Sequence, residues 1–244
     1  MHDDLSQRSP SEKEDMKLEV LELIKETLWF PTGGNMKKVL DAEDWYQTDK
    51  AIRDIPFRFR VCGLGSRHLK RINNTFKPWQ SAFDRACRAV DCGAVFALIG
   101  GKGSGKTQLA AMLLRRSIER LEAVRSASNN TFLFAQYRTW GDIAREVKTT
   151  FSDKYDQTEK DIIDHLTAVP LLVVDEIHEG RSTDFEAALF VSIVDARYRS
   201  EKSTILISNQ KKQAFSTHVG LSVSDRMREG GGIIECDWES FRAL

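Results

Sequence analysis

Gly100, four intervening residues, then Gly105, Lys106 and Thr107 reproduce the spacing of a phosphate-binding loop. Glycines let successive backbone N–H groups turn toward one anion, and the helix that follows adds its positive end at the same point. The candidate phosphate contacts are Gly100, Gly101, Lys102, Gly103, Ser104, Gly105, Lys106, Thr107 and Gln108. Lys106 is placed to reach β- and γ-phosphates as a point charge, and Thr107 to put its hydroxyl on a magnesium ion. ATP with Mg2+ is the guest this chemistry suits.

A phosphate loop alone leaves the reaction open. Further along, the apolar, β-prone Leu171, Leu172, Val173 and Val174 end on the acids Asp175 and Glu176. A carboxylate at the exposed tip of a buried strand is where a nucleotide-bound magnesium needs an anchor, the role expected of Asp175. Glu176, one residue on, is placed to polarise a water in line with the γ-phosphate, which argues for hydrolysis over mere binding. Thr204 to Ser208 (TILIS) then runs into Asn209. That amide either holds the attacking water or γ-phosphate, or simply turns the chain. In SDRMREGGG, Arg226 and Arg228 lie two apart and point in different directions on a helix. One is expected to pair with Asp225 or Glu229, the other to reach a nucleotide held by a neighbouring subunit.

The elements that must position these residues alternate. Helices are expected at Ser81 to Val90, Lys106 to Ser126, Trp140 to Phe151, Glu159 to Ala168 and Phe185 to Arg199. Strands are expected at Val95 to Ile99, Thr131 to Gln136, Leu171 to Asp175, Thr204 to Ser208 and Ile233 to Asp237. Ser222 to Gly232 reads as a short helix capped by Ser222 or Ser224. Such alternation predicts an α/β fold, a mostly parallel five-stranded sheet flanked by helices on both faces.

The front of the chain differs. Ser11 and Glu14 form a capping-box pattern, and Leu18, Leu21, Leu23, Ile24 and Leu28 follow at helical spacing, so Ser11 to Trp29 reads as an amphipathic helix. Its acidic face is either merely solvated or docks into a partner's groove. A second short helix is expected around Met36 to Tyr46. From Ala51 to Lys77 the chain carries Arg53, Arg58, Arg60, Arg67, Lys70, Arg71 and Lys77 with Phe57, Phe59 and Phe76 between them. Basic and aromatic residues interleaved in this way suit a strand of nucleic acid. Equally, Ile55, Phe57 and Phe59 alternate like a strand packed on the next domain.

Composition narrows the class. Lys plus Arg and Asp plus Glu stand at 36 each, so any contact with nucleic acid must come from local patches. The four cysteines, Cys62, Cys87, Cys92 and Cys236, contain no C-x-x-C pair, which argues against structural zinc. With no apolar run long enough for a bilayer, the expected place is the cytoplasm, without membrane contact.

The order of phosphate loop, VVDE, ISN and SDRMREGG followed by CDWESFR resembles the DnaC/IstB group of AAA+ ATPases, and within it the DnaC-type replicative helicase loaders. The resemblance runs from about Ile55 to Leu244 and implies an AAA+ P-loop ATPase domain over 55–244. Residues 1–54 would be a helical partner-binding region, and a C-terminal lid domain would be absent. It also implies that Arg226 is the arginine finger supplied in trans and Asn209 the sensor residue. The helical insert Trp140 to Phe151 would face single-stranded DNA, making Lys148, Phe151, Thr183 and Phe185 candidate DNA contacts, although core packing is the expected account of both phenylalanines. The implied function is ATP-dependent loading of a hexameric replicative helicase onto single-stranded DNA. The helicase would be held by the N-terminal region, and copies of the chain would associate through the ATP site. The competing expectations are an IstB-like ATPase that binds DNA and assists a transposase, a small-molecule kinase, and a non-enzymatic ATP-bound scaffold.

Overall fold

Val95–Ile99, Leu171–Asp175 and Ser203–Ser208 are buried at every position, as strands covered on both faces must be. The computed structural model describes residues 62–64, 68, 76–125, 135–152, 157–177 and 183–241. In chain order these form α1 (Lys77–Asp91), β1 (Val95–Ile99), α2 (Lys106–Arg125), β2 (Gln136–Thr139) and α3 (Trp140–Thr149). Then come α4 (Glu159–Ala168), β3 (Leu171–Asp175), α5 (Asp184–Arg199), β4 (Ser203–Ser208), α6 (Lys212–Glu229) and β5 (Gly232–Glu235). The expected helices at Ser11 to Trp29 and Met36 to Tyr46, the boundary between 54 and 55, and most of the basic stretch from Ala51 to Lys77 lie outside the described residues.

Among the described residues the five strands lie in the order β2-β3-β4-β1-β5, and every pairing is parallel. Side chains alternate across the sheet, so each strand feeds two cores. Phe96, Leu98, Leu171, Val173, Ile205 and Ile207 pack with α1 and α2 on one face. Val95, Ala97, Ile99, Leu172, Val174 and Leu206 pack with helices α3 to α6 on the other. The order inserts β4 between β1 and β3. In consequence the tip of β4 emerges between the loop that leaves β1 and the acids that end β3.

Arg197, fully buried in α5, sews the lower part of this layer together. It donates to Leu166 O, to Val169 O at 2.8 Å, to Ser203 O at 2.6 Å and to Thr204 Oγ1 at 2.8 Å. Burial without a facing carboxylate pushes its pKa down to about 9. The bonds tie the end of α4 to the start of β4, so the two strands that carry Asp175 and Asn209 are held in step.

Several boundaries differ from the sequence expectation. Strand β2 runs over Gln136–Thr139, an edge strand whose residues are all half-buried and need no apolar run, and of the strand expected over Thr131 to Gln136 residues 131–134 lie outside the described residues. Helix α1 starts at Lys77, with Pro78 in its first turn, where a missing N–H costs nothing. Helix α6 begins at Lys212 and is kinked at Gly220, whose φ of 83° and ψ of 169° leave the helical region. Neither Ser222 nor Ser224 caps a separate helix here. Ser222 Oγ accepts instead from Arg226 Nη1 at 2.7 Å, and Ser224 is buried.

Candidate nucleotide site

The phosphate loop leaves β1 through Gly100 at φ 141° and enters α2 through Gly105 at φ 83°. Glycine is required at the first position, since a Cβ there would lie 2.3 Å from Cys236 O. Inside the loop, buried Lys106 donates from Nζ to Gly100 O at 2.9 Å, Gly101 O at 2.7 Å and Ser104 Oγ at 3.3 Å. The ammonium is thus fixed over the loop by its own main chain, with Gly101 and Lys102 exposed on the rim. Gln108, one turn into α2, bonds His68 at 3.2 Å.

Thr107 and Asp175 come together from motifs 68 residues apart: Thr107 Oγ1 donates to Asp175 Oδ2 at 3.0 Å. Tyr137 donates its hydroxyl to the same oxygen at 2.7 Å. The other carboxylate oxygen accepts the Glu176 N–H at 2.7 Å. Both oxygens are therefore oriented by the protein itself. A hydroxyl and a carboxylate form a hard oxygen set, which fits a magnesium ion that keeps its remaining positions for water and phosphate. Glu176 adopts φ 58° and is exposed. For a residue other than glycine this left-handed turn costs on the order of 1–3 kcal/mol. It breaks the strand one residue after Asp175, so the two neighbouring acids face different surroundings. Asn209 directly follows Ser208, the β4 residue that pairs with Ile99 at the root of the loop.

The remaining candidates fall into two other places. Arg226 lies near the end of α6, and Gly230 just beyond packs on Ala94, which precedes β1. The phosphate loop follows β1, so the end of α6 that carries Arg226 approaches the opposite end of that strand from its own chain's loop. Its Nε pairs with Asp195 Oδ1 at 2.8 Å, Nη1 donates to Ser222 O at 2.7 Å, and the guanidinium sits 5.4 Å from the Tyr198 ring centroid. Arg228 pairs with Asp225 at 2.8 Å.

The end of α3 and the start of α5 bring Lys148, Phe151, Thr183 and Phe185 to one corner. Lys148 Nζ meets Glu186 Oε1 at 2.7 Å, and Thr183 caps α5 by accepting from Glu186 N at 3.2 Å. Phe151 stands edge-on to Phe185 at 5.3 Å between centroids. Phe185 is half-buried against the core, whereas Phe151 is 62% exposed, which removes core packing as its account.

Three residues of the site have no role assignable from the sequence alone. Tyr137 could have been found from register alone: Thr139 pairs with Asp175, so Tyr137, two residues earlier, shares its face. Trp238 and Phe241 bond the outer side of the phosphate loop. Both lie in CDWESFR, a segment whose composition shows nothing of where it folds.

No family model matches the chain. The replicative helicase loader DnaC of Buchnera aphidicola subsp. Schizaphis graminum is 30% identical over 150 residues, 61% of this chain and 56% of that protein. The chain thus spans little more than half the length of that curated relative. Among solved structures, the crystal structure of the DnaC helicase loader aligns with a TM-score of 0.53 and 18% identity, over 70% of this chain and 99% of that one. AMPPCP-bound DnaA from Aquifex aeolicus aligns at 0.54 and 18%, over 67% of this chain and 47% of the other. The fold is that of the AAA+ P-loop NTPases, and the resemblance to DnaC-type loaders holds in both comparisons.

Proposed function

We propose that the chain is an ATP-dependent loader that places a hexameric replicative helicase on single-stranded DNA. The observation that carries the reading is the Thr107–Asp175–Tyr137 constellation beneath a phosphate loop, in a chain similar to proteins named replicative helicase loaders.

ATP is the substrate. The loop N–H groups and Lys106 hold its phosphates, and Thr107 and Asp175 hold Mg2+, which when bound draws charge off the β- and γ-phosphates. Glu176 takes the proton of the attacking water as its oxygen bonds to the γ-phosphorus. The bond from that phosphorus to the bridging oxygen breaks, leaving ADP and phosphate. Asn209, between the loop and Glu176, orients the water. Arg226 of a neighbouring copy supplies positive charge to the transferring phosphoryl group. Its position at the opposite end of the sheet from its own loop supports a role in trans.

Helicase binding belongs to residues 1–54 and DNA contact to the Phe151 corner, with the cytoplasm as the place of work. The test is a loading assay with the cognate hexameric helicase on circular single-stranded DNA coated with single-strand-binding protein. The chain with ATP should raise the amount of helicase on the circles, and a version beginning at Ile55 should lose the complex with the helicase. Normal helicase loading without the chain, or no complex with the full chain, would contradict the proposal.

A further inference from the structure

A loop that turns its N–H groups toward a phosphate must turn carbonyls the other way, and those need donors of their own. Lys106 and Ser104 serve the carbonyls of Gly100 and Gly101, and for Gly103 and Ser104 the donors come from the segment after β5. Trp238 Nε1 donates to Ser104 O at 2.9 Å, and Phe241 N donates to Gly103 O at 3.0 Å. Upstream, Cys236 N donates to Ile99 O at 2.7 Å, at the root of the loop. At its other end, a Cβ on Gly105 would stand 3.3 Å from the Phe241 ring and 3.3 Å from Trp79 Nε1, so ring and loop are in close packing there.

Phe76, the residue before α1, holds the segment from outside. Its ring meets Trp238 at 5.9 Å and Phe241 at 6.0 Å between centroids, edge-on in both cases. Segment 236–241 therefore follows the loop from the end of β1 to the start of α2. Its contacts are to main-chain carbonyls and glycines, the parts of the loop whose direction decides where the N–H groups aim.

We propose that Trp238 and the Phe241 main chain are positioning residues for the nucleotide: the segment after β5 braces the outer side of the phosphate loop, so that its docking and triphosphate binding stabilise one another. The proposal rests on the reading that this loop holds ATP. A braced loop has less freedom to lose when the triphosphate binds, and whatever the segment gives to binding, binding returns to the segment.

The full chain serves for the test, with a fluorescent ATP analogue for affinity and hydrogen exchange for the segment. Trp238→Phe keeps a ring and removes the donor. It should weaken the analogue about 3- to 10-fold, the range of one hydrogen bond, with the nucleotide-free melting temperature almost unchanged. Phe241→Leu keeps the amide and should have a smaller effect. In the unaltered chain, ATP should slow exchange of the Phe241 amide. A lower melting temperature with unchanged affinity, or exchange over 236–241 indifferent to ATP, would overturn the brace. If Trp238→Phe fails to fold, the exchange measurement decides alone. Failure of the unaltered chain to bind ATP would sink the nucleotide reading and the brace with it, whereas normal binding unaffected by Trp238→Phe would sink the brace only.

Discussion

The corner built around Gly100–Thr107 and the corner around Arg226 use polar groups in opposite ways. At the first, Lys106, Thr107, Tyr137 and Asp175 bond to one another or to the loop, and outside donors hold the loop's carbonyls. This corner is organised by its own hydrogen bonds. At the second, Arg226 is held by its own neighbourhood: it pairs with Asp195 at 2.8 Å, donates to Ser222 and lies over the Tyr198 ring, and none of these partners belongs to the phosphate loop. One end of the sheet is thus a half-site bonded within itself, and the other carries the arginine proposed to serve a neighbouring copy.

The largest effect should come from breaking the second corner. Arg226→Ala should cut ATP turnover of the assembled protein by about 10³-fold or more, as loss of an arginine finger does. Affinity of the dilute chain for ATP should be unchanged; turnover against protein concentration, beside a binding titration, checks both. Breaking the first corner at Glu176→Gln should lower turnover by about 10²-fold or more through loss of the general base. Nucleotide should still bind, which the same titration reads. Phe151→Ala addresses the exposed ring where the end of α3 meets the start of α5. Loss of one stacked base should weaken single-stranded DNA by about 5- to 100-fold, following roughly 1–3 kcal/mol per base, with turnover in the absence of DNA unaltered.

The smallest effect concerns stability alone. Glu146, paired with Arg138 on β2, has its pKa raised by burial from 4.5 to about 7. Its protonated form is favoured in the folded state. The folded state therefore binds the extra proton between those values, and stability falls as pH rises through the window. Melting temperature should drop by a few °C, on the order of 1 kcal/mol or more, between pH 4.5 and 7, and Glu146→Gln should remove that slope. Neither corner contains Glu146, so nucleotide affinity should not follow it.

The central strands were legible because full burial demands continuous apolar runs: Leu171–Asp175 falls where the sequence puts it. Edge strand β2 was not, since QYRT answers to pairing rather than to hydrophobicity. Helix α6 was half-read because Gly220 splits it, and 212–219 presents few apolar residues to periodicity. The phosphate loop and acid pair were legible because their chemistry requires fixed residue types at fixed spacing. Tyr137, Asp195 and Trp238 were not: each acts through a partner far away in sequence, which spacing along the chain does not encode.

The shared ATP site is tested most directly by mixing two inactive proteins, Lys106→Ala and Arg226→Ala, under conditions where the unaltered chain assembles and hydrolyses ATP. An Arg226→Ala copy keeps an intact phosphate loop, and a Lys106→Ala copy can lend it an arginine. The mixture should hydrolyse ATP well above the sum of the two alone. Turnover no greater than that sum, with mixed assemblies formed, would contradict it.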